Sequence, residues 1–518
     1  MENQPAHINL GKILFAFAVV VIAVLACGRS IWMGDTSWWQ APQPGNREAA
    51  DKDASPQFAF LPPTRAPGAP ILTPTPDDPH PIPSPRVETE RYVVQPNDTL
   101  GEIAQRFGVN LNQIMEANQL NDPNLLEVGL ELVIPAPLPG SLGSDFKILP
   151  DSELVYGPAS AFFNVSAFIQ SKAGWLAQYQ EQVEGNPTPL SGAQIVERVA
   201  QDFSVNPRIL LAALEYQSNW LTNPNSDPAR REYPLGVQEP RLKGLYQQLA
   251  WAANNLNQGY YLWRVNAVGT WLLGDGSVVP IAKTINAGTA GVQHMFAPLY
   301  GRAGWDQAVS ENGLFATFTA LFGYPFDLAI EPLLPPNLAQ PALQLPFEVD
   351  KAWAFTGGPH AAWGDGSAWG ALDFAPPAES VGCVPSDEWV VAVGDGLILR
   401  SADGAVLQDL DGDGFEQSGW VILYMHVESR DRISPGIFIK AGERIGHPSC
   451  EGGFSTGTHV HLARRFNGEW IPADQNLPFI LDGWVSRGLG KEYDGILERN
   501  GQMVEAWTGR SPDNAIQR

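Results

Sequence analysis

The histidines of this 518-residue chain are unevenly distributed, because five of the eight lie between residues 360 and 461. Residues 458–462, Thr-His-Val-His-Leu, alternate polar and apolar side chains, a pattern that predicts a β-strand. Since the side chains of a strand alternate between the two faces of a sheet, His459 and His461 point to the same side. The two imidazoles can therefore share one site.

Other residues of the same stretch could complete a metal site. His426 follows the apolar run 421–425, which predicts a second strand, and His360 follows a turn that contains two glycines. Asp373 lies in Gly-Ala-Leu-Asp-Phe at residues 370–374. Imidazole and carboxylate donors without thiolates suit a catalytic zinc ion, which keeps three protein ligands and leaves a position open for water.

These residues resemble the lysostaphin-type and beta-lytic zinc endopeptidases, also called LytM-domain peptidases, which cut peptide bonds in bacterial cell walls. The shared motifs between about residues 357 and 470 are Gly-x-x-His, Leu-Asp-Phe-Ala, Val-Ala-Val-Gly-Asp-Gly, Tyr-x-His, Ala-Gly-x-x-Ile-Gly and Ser-Thr-Gly-Thr-His-x-His. Twelve residues separate His360 from Asp373, which is the long spacing of the beta-lytic branch. Asp365 is nearer in sequence but lies in a Trp-Gly-Asp-Gly-Ser turn, so Asp373 is the predicted ligand.

The resemblance implies a role for each of these side chains. It assigns His360, Asp373 and His461 to zinc, and it places His426 and His459 in the catalytic shell. Two imidazoles beside a zinc ion can stabilise a developing oxyanion and carry a proton to the leaving amine. Which of the two performs which task is left open by the sequence.

The chain has three cysteines, Cys27, Cys383 and Cys450, too few for a disulfide-built scaffold or a thiolate zinc site. Cys383 and Cys450 both fall in the predicted peptidase domain, which meets an oxidising environment after export. We therefore expect a disulfide bond between them.

A second unit, residues 91–136, has two short strand patterns that flank two helical patterns. It resembles a LysM domain through Tyr-x-Val at 92–94, Asp-Thr-Leu at 98–100, Phe-Gly-Val at 107–109, Ala-Asn at 117–118 and Asp-Pro at 122–123. The resemblance implies a βααβ fold that binds N-acetylglucosamine-containing glycan such as peptidoglycan. The residues that it assigns to the sugar groove are Asn97, Asp98, Thr99, Leu100, Asn118, Asp122 and Pro123.

The LysM motif is nearly complete. Asn97 replaces the usual glycine and Leu130 replaces the usual glutamine, but neither change removes the groove loops. Asp98, Thr99 and Asn118 also suit the caps of helices and turns, so a structural role for them is the alternative.

The N-terminus predicts export. Residues 13–26 form an unbroken apolar run, shorter than the roughly 20 residues of a membrane span, so a signal-peptide core is predicted. Ala26 and Cys27 resemble the lipobox of bacterial lipoproteins, in which the cysteine is acylated; an uncleaved signal anchor is the alternative. In both cases residues 1–30 tether the protein outside the membrane. The Pro-rich residues 31–90 predict an extended linker.

The helical patterns of residues 150–335 predict an all-α domain. The helix around Glu215 and the Asn-Ala-Gly at 286–288 resemble the corresponding segments of lytic transglycosylases. The catalytic glutamate of that fold would fall at Gln217, whose amide cannot act as a general acid. Glu215 lies two residues away, about 200° around a helix. A structural or substrate-aligning role is therefore predicted for this domain, and a lysozyme-like glycosidase is an alternative.

Residues 409–414, Asp-Leu-Asp-Gly-Asp-Gly, resemble the start of a calcium loop. The twelfth position of such a loop is normally a glutamate, but Trp420 occupies it here. A solvated hairpin turn is therefore the prediction, with the calcium loop as the alternative.

Composition limits the class of protein. The chain has 32 Lys and Arg against 56 Asp and Glu, a formal charge of -24, and such a surface repels the phosphates of nucleic acid. Nucleic acid is therefore excluded as a partner. The length exceeds what one compact core usually accommodates, so several domains are expected.

The sequence thus predicts a multidomain protein with a βααβ LysM module, an all-α middle domain and a mainly antiparallel β zinc peptidase domain at residues 345–485. Residues 486–518 form a C-terminal extension. The predicted function is that of an exported, membrane-tethered, zinc-dependent endopeptidase whose partner and substrate is peptidoglycan. The alternative is a non-catalytic, peptidoglycan-binding regulator of other wall hydrolases.

Overall fold

The computed structural model describes residues 74–518 except residues 85, 96–97, 124–125, 139 and 185. Cys27, the predicted signal peptide and most of the predicted linker lie outside the described residues. In the described part of the chain, no helix combines the length and the apolar character that crossing a membrane requires.

The LysM region has the predicted βααβ fold. Strand β1 (Glu90–Val93) pairs antiparallel with β2 (Glu131–Ile134), and helices α1 (Leu100–Phe107) and α2 (Leu111–Asn118) lie between them in sequence. Asn110 caps α2 through a capping box with Gln113. The module has a hydrophobic core of its own, which includes the fully buried Ile103, Ile114 and Leu132.

The end of the predicted linker packs against the helical domain. The backbone N–H of Asp77 donates to the carbonyl of Thr284 at 3.0 Å, and that of His80 donates to Lys283 at 2.8 Å. The His80 ring stacks on Trp263 with 4.4 Å between centroids. These contacts make this part of the predicted linker a packed segment rather than a free spacer.

The middle domain is mainly helical. Its helices are α3 (Val165–Lys172), α4 (Trp175–Gln178), α5 (Gly192–Phe203), α6 (Pro207–Ser218), α7 (Leu245–Arg264), α8 (Ala287–Phe296), α9 (Arg302–Ala308) and α10 (Leu314–Phe322). Ser191 caps α5 through a capping box, and Pro207 opens α6 at a position where its missing N–H costs nothing.

The prediction that this domain is all-α is wrong in one respect. Strand β3 (Gln180–Glu181) pairs with β4 (Leu190–Ser191), and β5 (Thr270–Leu272) pairs with β6 (Val278–Pro280). Both pairs are antiparallel and only two or three residues long, too short to show the alternating pattern that predicts a strand.

The C-terminal domain is built on antiparallel strands. They are β7 (Ala352–His360), β8 (Ala371–Ala375), β9 (Val390–Val391), β10 (Gly396–Ala402), β11 (Ala405–Asp409), β12 (Trp420–Met425), β13 (Phe438–Ile439), β14 (Arg444–Gly446), β15 (Val460–Phe466), β16 (Glu469–Trp470), β17 (Ile480–Leu481), β18 (Trp484–Gly488), β19 (Gly495–Arg499), β20 (Gln502–Glu505) and β21 (Ala515–Gln517). The main sheet has the order β13-β10-β11-β12-β15-β8-β7-β21, with β16 paired to β15.

The predicted C-terminal extension is part of this domain. Strand β18 crosses the predicted boundary at residue 485 and joins a sheet of order β17-β18-β19-β20. Strand β21 pairs with β7 and forms an edge of the main sheet. The boundary between residues 485 and 486 is therefore wrong, because the sheet continues through it.

The two faces of the main sheet pack against different partners. Leu423 and Ala463 are opposite each other in register and belong to the same buried cluster as the helices of the middle domain. Their chain neighbours Ile422 and Leu462 point the other way and belong to the core of the β domain. The helical domain and the sheet thus share one continuous apolar core.

A cluster of buried charges also crosses this interface. Glu416 accepts hydrogen bonds from Arg465 and, at 2.9 Å, from Arg400. Arg400 lies 3.5 Å from Asp202 of α5, which in turn lies 3.5 Å from Arg198. Each of these side chains is at most 12% exposed, so the charges are compensated by one another rather than by water.

Candidate active site

Strand register brings the predicted metal ligands together. On β15, His461 lies between Asp373 of β8 and Met425 of β12. Asp373 is also paired with Gly357 of β7, the strand that ends at His360. Residues that are far apart in sequence therefore meet at one end of three adjacent strands.

The three predicted ligands form a compact donor set. Nε2 of His360 lies 2.9 Å from Nδ1 of His461, and Oδ1 of Asp373 lies 3.3 Å from each of these nitrogens. The three donor atoms all lie within 4.8 Å of one another, as ligands of one ion must. All three residues are buried.

Hydrogen bonds on the far side of each ring fix its orientation. Nδ1 of His360 lies 2.8 Å from the carbonyl of Gly358, and Nε2 of His461 lies 3.1 Å from the carbonyl of Ala362. A carbonyl can only accept, so these nitrogens carry the protons and the inner nitrogens present lone pairs. Such outer contacts are typical of metal-binding histidines.

The donor set fits a divalent metal ion. Oδ1 of Asp373 is buried and accepts no hydrogen bond from any residue that the structure describes. Two inward-facing imidazole nitrogens and a carboxylate oxygen are the ligand types of catalytic zinc sites. His360, Asp373 and His461 can therefore hold such an ion.

The two remaining histidines lie beside this set. Nδ1 of His426 lies 3.0 Å from the carbonyl of Glu451, and Nδ1 of His459 lies 2.7 Å from that of Gly457. The centroids of the two rings are 4.5 Å apart, and Nε2 of His459 lies 3.7 Å from Oδ1 of Asp373. His426 has a positive φ of 65°, a backbone conformation that residues other than glycine adopt less readily.

Burial and mutual contact shift the pKa values of this group. Burial lowers the pKa of His426 well below its usual value, and the neighbouring His459 and His461 lower it further. Burial also lowers the pKa of His461. Burial opposes ionisation of Asp373, but His360 and His459 outweigh it and hold the pKa of that carboxyl well below its usual range. Asp373 is therefore a carboxylate and His426 a neutral imidazole near neutral pH.

These residues line a cleft of about 670 Å³. Its walls also include Glu492, Tyr493 and Arg510, which the sequence analysis assigned to no site. The Tyr493 ring stacks on His360 with 4.3 Å between centroids, and Glu492 accepts from the backbone N–H of Ala361 at 3.1 Å. No motif marks these residues, because they come from later parts of the chain: Glu492 and Tyr493 lie between β18 and β19, and Arg510 follows β20.

The predicted disulfide joins two loops of one wall. Cys383 and Cys450 are bonded, with 5.8 Å between their Cα atoms. The backbone N–H of Thr458 donates to the carbonyl of Gly382 at 3.1 Å, so the cysteine loop is also tied to the segment that carries His459 and leads into β15. The disulfide therefore braces the cleft.

Other acidic residues singled out in the sequence lie outside the ligand set. Asp365 lines the cleft but is exposed and is not among the three convergent donors. Asp409, Asp411 and Asp413 have carboxylate oxygens within 4.8 Å of one another. Asp409 accepts from the backbone N–H of Gly414 at 2.9 Å, as expected of the predicted hairpin turn, and burial raises its pKa to about 8.

The two helical-domain residues that the transglycosylase resemblance singled out, Glu215 and Gln217, are held by contacts within that domain. The carboxylate of Glu215 accepts from the backbone N–H of Leu221 at 2.8 Å and from the hydroxyl of Thr222. Gln217 accepts from the hydroxyl of Tyr300 at 2.9 Å. Glu215 therefore closes the end of its own helix, which agrees with the structural role predicted for this domain.

Several of the predicted glycan-binding residues also hold the LysM fold. Asp98 accepts from the hydroxyl of Tyr92 at 2.6 Å and from the backbone N–H of Gln95 at 2.7 Å. The amide of Asn118 donates to and accepts from the backbone of Val133, at 2.7 Å in both bonds.

The other predicted glycan-binding residues differ in how far they are exposed to solvent. Leu100 is buried in the LysM core, which leaves only its backbone for a sugar. Thr99 and Asp122 are exposed, Pro123 is half-buried, and Asn97 lies outside the described residues. The exposed members therefore offer the side chains best placed to meet a ligand.

Comparison with known proteins agrees with this organisation. Residues 92–135 match the family model of the LysM domain, and residues 147–336 match that of the LasA N-terminal domain. The chain is 25% identical over 365 residues to protease LasA of Pseudomonas aeruginosa, which covers 65% of this chain and 78% of that protein. It is 47% identical over 49 residues to the N-acetylmuramoyl-L-alanine amidase XlyA of Bacillus subtilis, which covers 10% of this chain and 16% of that protein.

Among solved structures, the M23 metalloprotease pseudoalterin from the deep sea aligns at 26% identity with a TM-score of 0.27, over 33% of this chain and 97% of that chain. The chain therefore contains a LysM domain and a LasA N-terminal domain and is similar to protease LasA, which confirms its resemblance to the lysostaphin-type, or LytM-domain, peptidases.

Proposed function

We propose that this chain is an exported zinc endopeptidase that hydrolyses peptide bonds of bacterial peptidoglycan. The observation that carries the proposal is the convergence of His360, Asp373 and His461, with both inner ring nitrogens free to bind a metal. The similarity to protease LasA and the LysM domain support the same class of enzyme and the same polymer.

His360, Asp373 and His461 would hold the zinc ion. When bound, zinc supplies a Lewis acid for the scissile carbonyl and lowers the pKa of a coordinated water. The carboxylate of Asp373, whose pKa lies well below its usual range, provides the negative charge that the ion needs. The carbonyls of Gly358 and Ala362 hold the two ligand rings in the required tautomer.

The catalytic steps that this chain itself performs fall to His426 and His459. Each ring donates its Nδ1 proton to a backbone carbonyl, so in the neutral form Nε2 is a proton acceptor. Such a nitrogen can take a proton from the attacking water and, once protonated, stabilise the oxyanion or pass the proton to the leaving amine. The disulfide between Cys383 and Cys450 braces the wall of the cleft beside His426 and His459.

The LysM domain would hold the enzyme on its polymeric substrate. We propose that the exposed Thr99 and Asp122 lie on the glycan-binding surface and that Asp98 and Asn118 shape it through the backbone. Asn97 is proposed as a further sugar contact on the LysM resemblance alone. The predicted acylation of Cys27 would tether the protein outside the membrane.

Two histidine variants test this proposal. His461→Ala should lose zinc and activity together, because two ligands hold an ion poorly. His459→Ala should keep most of its zinc and still lose about 10²–10⁴-fold in turnover, because it removes a proton-transfer group. His447→Ala is the matched control, since His447 is an equally buried imidazole of the same domain that binds the carbonyl of Glu388 outside the cleft.

Zinc content by plasma emission and the clearing of purified cell walls measure the two effects. Equal zinc loss in His459→Ala and His461→Ala would overturn the assignment of roles. Full activity in His461→Ala would overturn a peptidase at this site, whereas a wild-type chain that does not clear purified cell walls would favour a non-catalytic regulator of other wall hydrolases.

A further inference from the structure

Residues 361–368, the site loop, lie between strands β7 and β8, directly after His360. The loop is closed by its own hydrogen bonds, from the backbone N–H of Ala362 to the carbonyl of Ala368 at 3.0 Å and from that of Trp363 to the hydroxyl of Ser367 at 2.8 Å. It therefore moves as a unit, and it forms part of the wall of the cleft.

The site loop orients one metal ligand. The carbonyl of Ala362 accepts the Nε2 proton of His461 at 3.1 Å, and Ala362 is fully buried. That bond places the proton on Nε2 and leaves the lone pair of Nδ1 for the metal. A displacement of the loop would therefore turn the ring or release its tautomer.

The helical domain holds the site loop from outside. The side-chain oxygen of Asn254, on helix α7, accepts from the backbone N–H of Gly366 at 2.9 Å. A Cβ on Gly366 would lie 2.0 Å from the carbonyl oxygen of Asn254, so the two backbones are in close contact. Trp363 is buried in the hydrophobic core of the helical domain. The loop is therefore anchored to the helices by packing as well as by a hydrogen bond.

We propose that Asn254 is a positioning residue for His461, and that the helical domain is a working part of the peptidase site. The path of contact runs from Asn254 through Gly366 and the closed site loop to the carbonyl of Ala362. This inference rests on the proposed zinc function and adds to it a role for the helical domain.

Asn254→Ala and Gly366→Ala perturb the contact between helix α7 and the site loop from opposite sides, and Asn254→Asp is the conservative variant. Asn254→Ala removes the acceptor of the Gly366 N–H, whereas Asn254→Asp keeps an oxygen in its place. Gly366→Ala pushes the loop away from helix α7, because the added Cβ meets the Asn254 carbonyl. The φ of Gly366 is not in the left-handed region, so the alanine acts through this contact rather than through local strain.

Tyr261→Phe is the matched control. Tyr261 lies on the same helix, and its hydroxyl accepts from the backbone N–H of Trp470 at 2.9 Å. The control therefore removes the same kind of bond, between α7 and a backbone N–H of the β domain, but with a partner outside the site loop. A purely structural interface would respond to both changes alike.

Zinc affinity of the full chain, measured by competition with a chromophoric chelator, is the first readout. Loss of an outer contact to a metal ligand typically weakens binding 10–100-fold, and we expect about 10-fold for Asn254→Ala and Gly366→Ala because both act through the loop. Tyr261→Phe and Asn254→Asp should stay within about twofold of wild type. The visible spectrum of the cobalt-substituted protein should change in the first pair only.

Hydrogen exchange of the zinc-free chain is the second readout, and it depends on neither metal nor substrate. The site loop should exchange faster in Asn254→Ala and Gly366→Ala than in Tyr261→Phe. Unchanged loop exchange, unchanged zinc affinity in Asn254→Ala, or equal weakening in Tyr261→Phe would each overturn the inference while the zinc function stands. A wild-type chain that binds no zinc would instead overturn the proposed function, and the inference with it.

Discussion

The buried charge cluster between the helical domain and the sheet gives the sharpest stability prediction. Glu416 is 8% exposed and neutralises Arg400 and Arg465, whose side chains are 12% and 1% exposed. Burial lowers the pKa of Arg465 even with Glu416 beside it, so the guanidinium is already poorly solvated. Glu416→Gln keeps the shape and one acceptor but removes the charge.

The size of the effect follows from the count of charges. The ion pairs of the cluster join three guanidinium groups to two carboxylates, with Asp403 also acting on Arg198, and the variant removes the carboxylate that Arg400 and Arg465 share. Removing one partner of a buried pair costs about 3–5 kcal/mol, because the other charge stays buried without compensation. The glutamine oxygen can still accept one hydrogen bond, so we expect the lower end, about 3 kcal/mol of unfolding free energy.

Glu498→Gln is the matched control for this prediction. Glu498 accepts from Arg487 at 2.8 Å, but this pair is on the surface, with 37% and 59% of the side chains exposed. An exposed pair contributes about 0–1 kcal/mol, so the same chemical change should have little effect there.

Urea unfolding of both variants, followed by tryptophan fluorescence, measures the difference. The helices and the sheet should unfold in one transition, because they share a core. An unfolding free energy of Glu416→Gln within about 1 kcal/mol of wild type would refute the reasoning. So would an equal loss in the two variants.

Three further predictions concern other parts of the chain. Burial lowers the pKa of His294 to about 4 from 6.5, so the unfolded chain takes up the proton at a higher pH than the folded chain does. The free energy of unfolding should therefore fall by about 3 kcal/mol as the pH drops from 6.5 to 4. Denaturation curves of His294→Asn should lack this dependence on pH. Replacing Cys383 and Cys450 by serine should lower the unfolding free energy by about 4 kcal/mol, and peptide mapping without reduction should find the pair bonded in exported protein. Two free thiols would contradict this. Residues 91–135, which have their own core, should sediment with insoluble peptidoglycan, whereas a module left in the supernatant would refute the glycan-binding assignment.

The sequence was sufficient to predict the LysM fold. Its strands and helices are contiguous in the chain, and its core is formed by residues within about 45 positions of one another. Capping and periodicity act over such short distances, so they can be read without a structure. The alternation around His459 and His461 likewise predicted that the two rings share one site, and both line the cleft although β15 begins only at Val460.

The composition of the ligand set was also determined by the sequence, but its geometry was not. The resemblance to LytM-domain peptidases, which rests on sequence motifs, implied His360, Asp373 and His461 as the ligands. Only the pairing of β7, β8 and β15 brings their donor atoms within 4.8 Å, and only the folded loops supply the carbonyls that fix each tautomer. Strand register is a property of long-range pairing, which no local pattern specifies.

Only the tertiary structure shows which residues outside the motifs contact the candidate site. Tyr493 reaches the cleft from the C-terminal strands, and Asn254 reaches the site loop from a helix more than 100 positions earlier in the chain. Neither residue belongs to a motif, because each acts through a tertiary contact between segments that are far apart in the chain. The sequence by itself therefore determined which side chains could do the chemistry, and the packing of the two domains decided which other residues hold them in place.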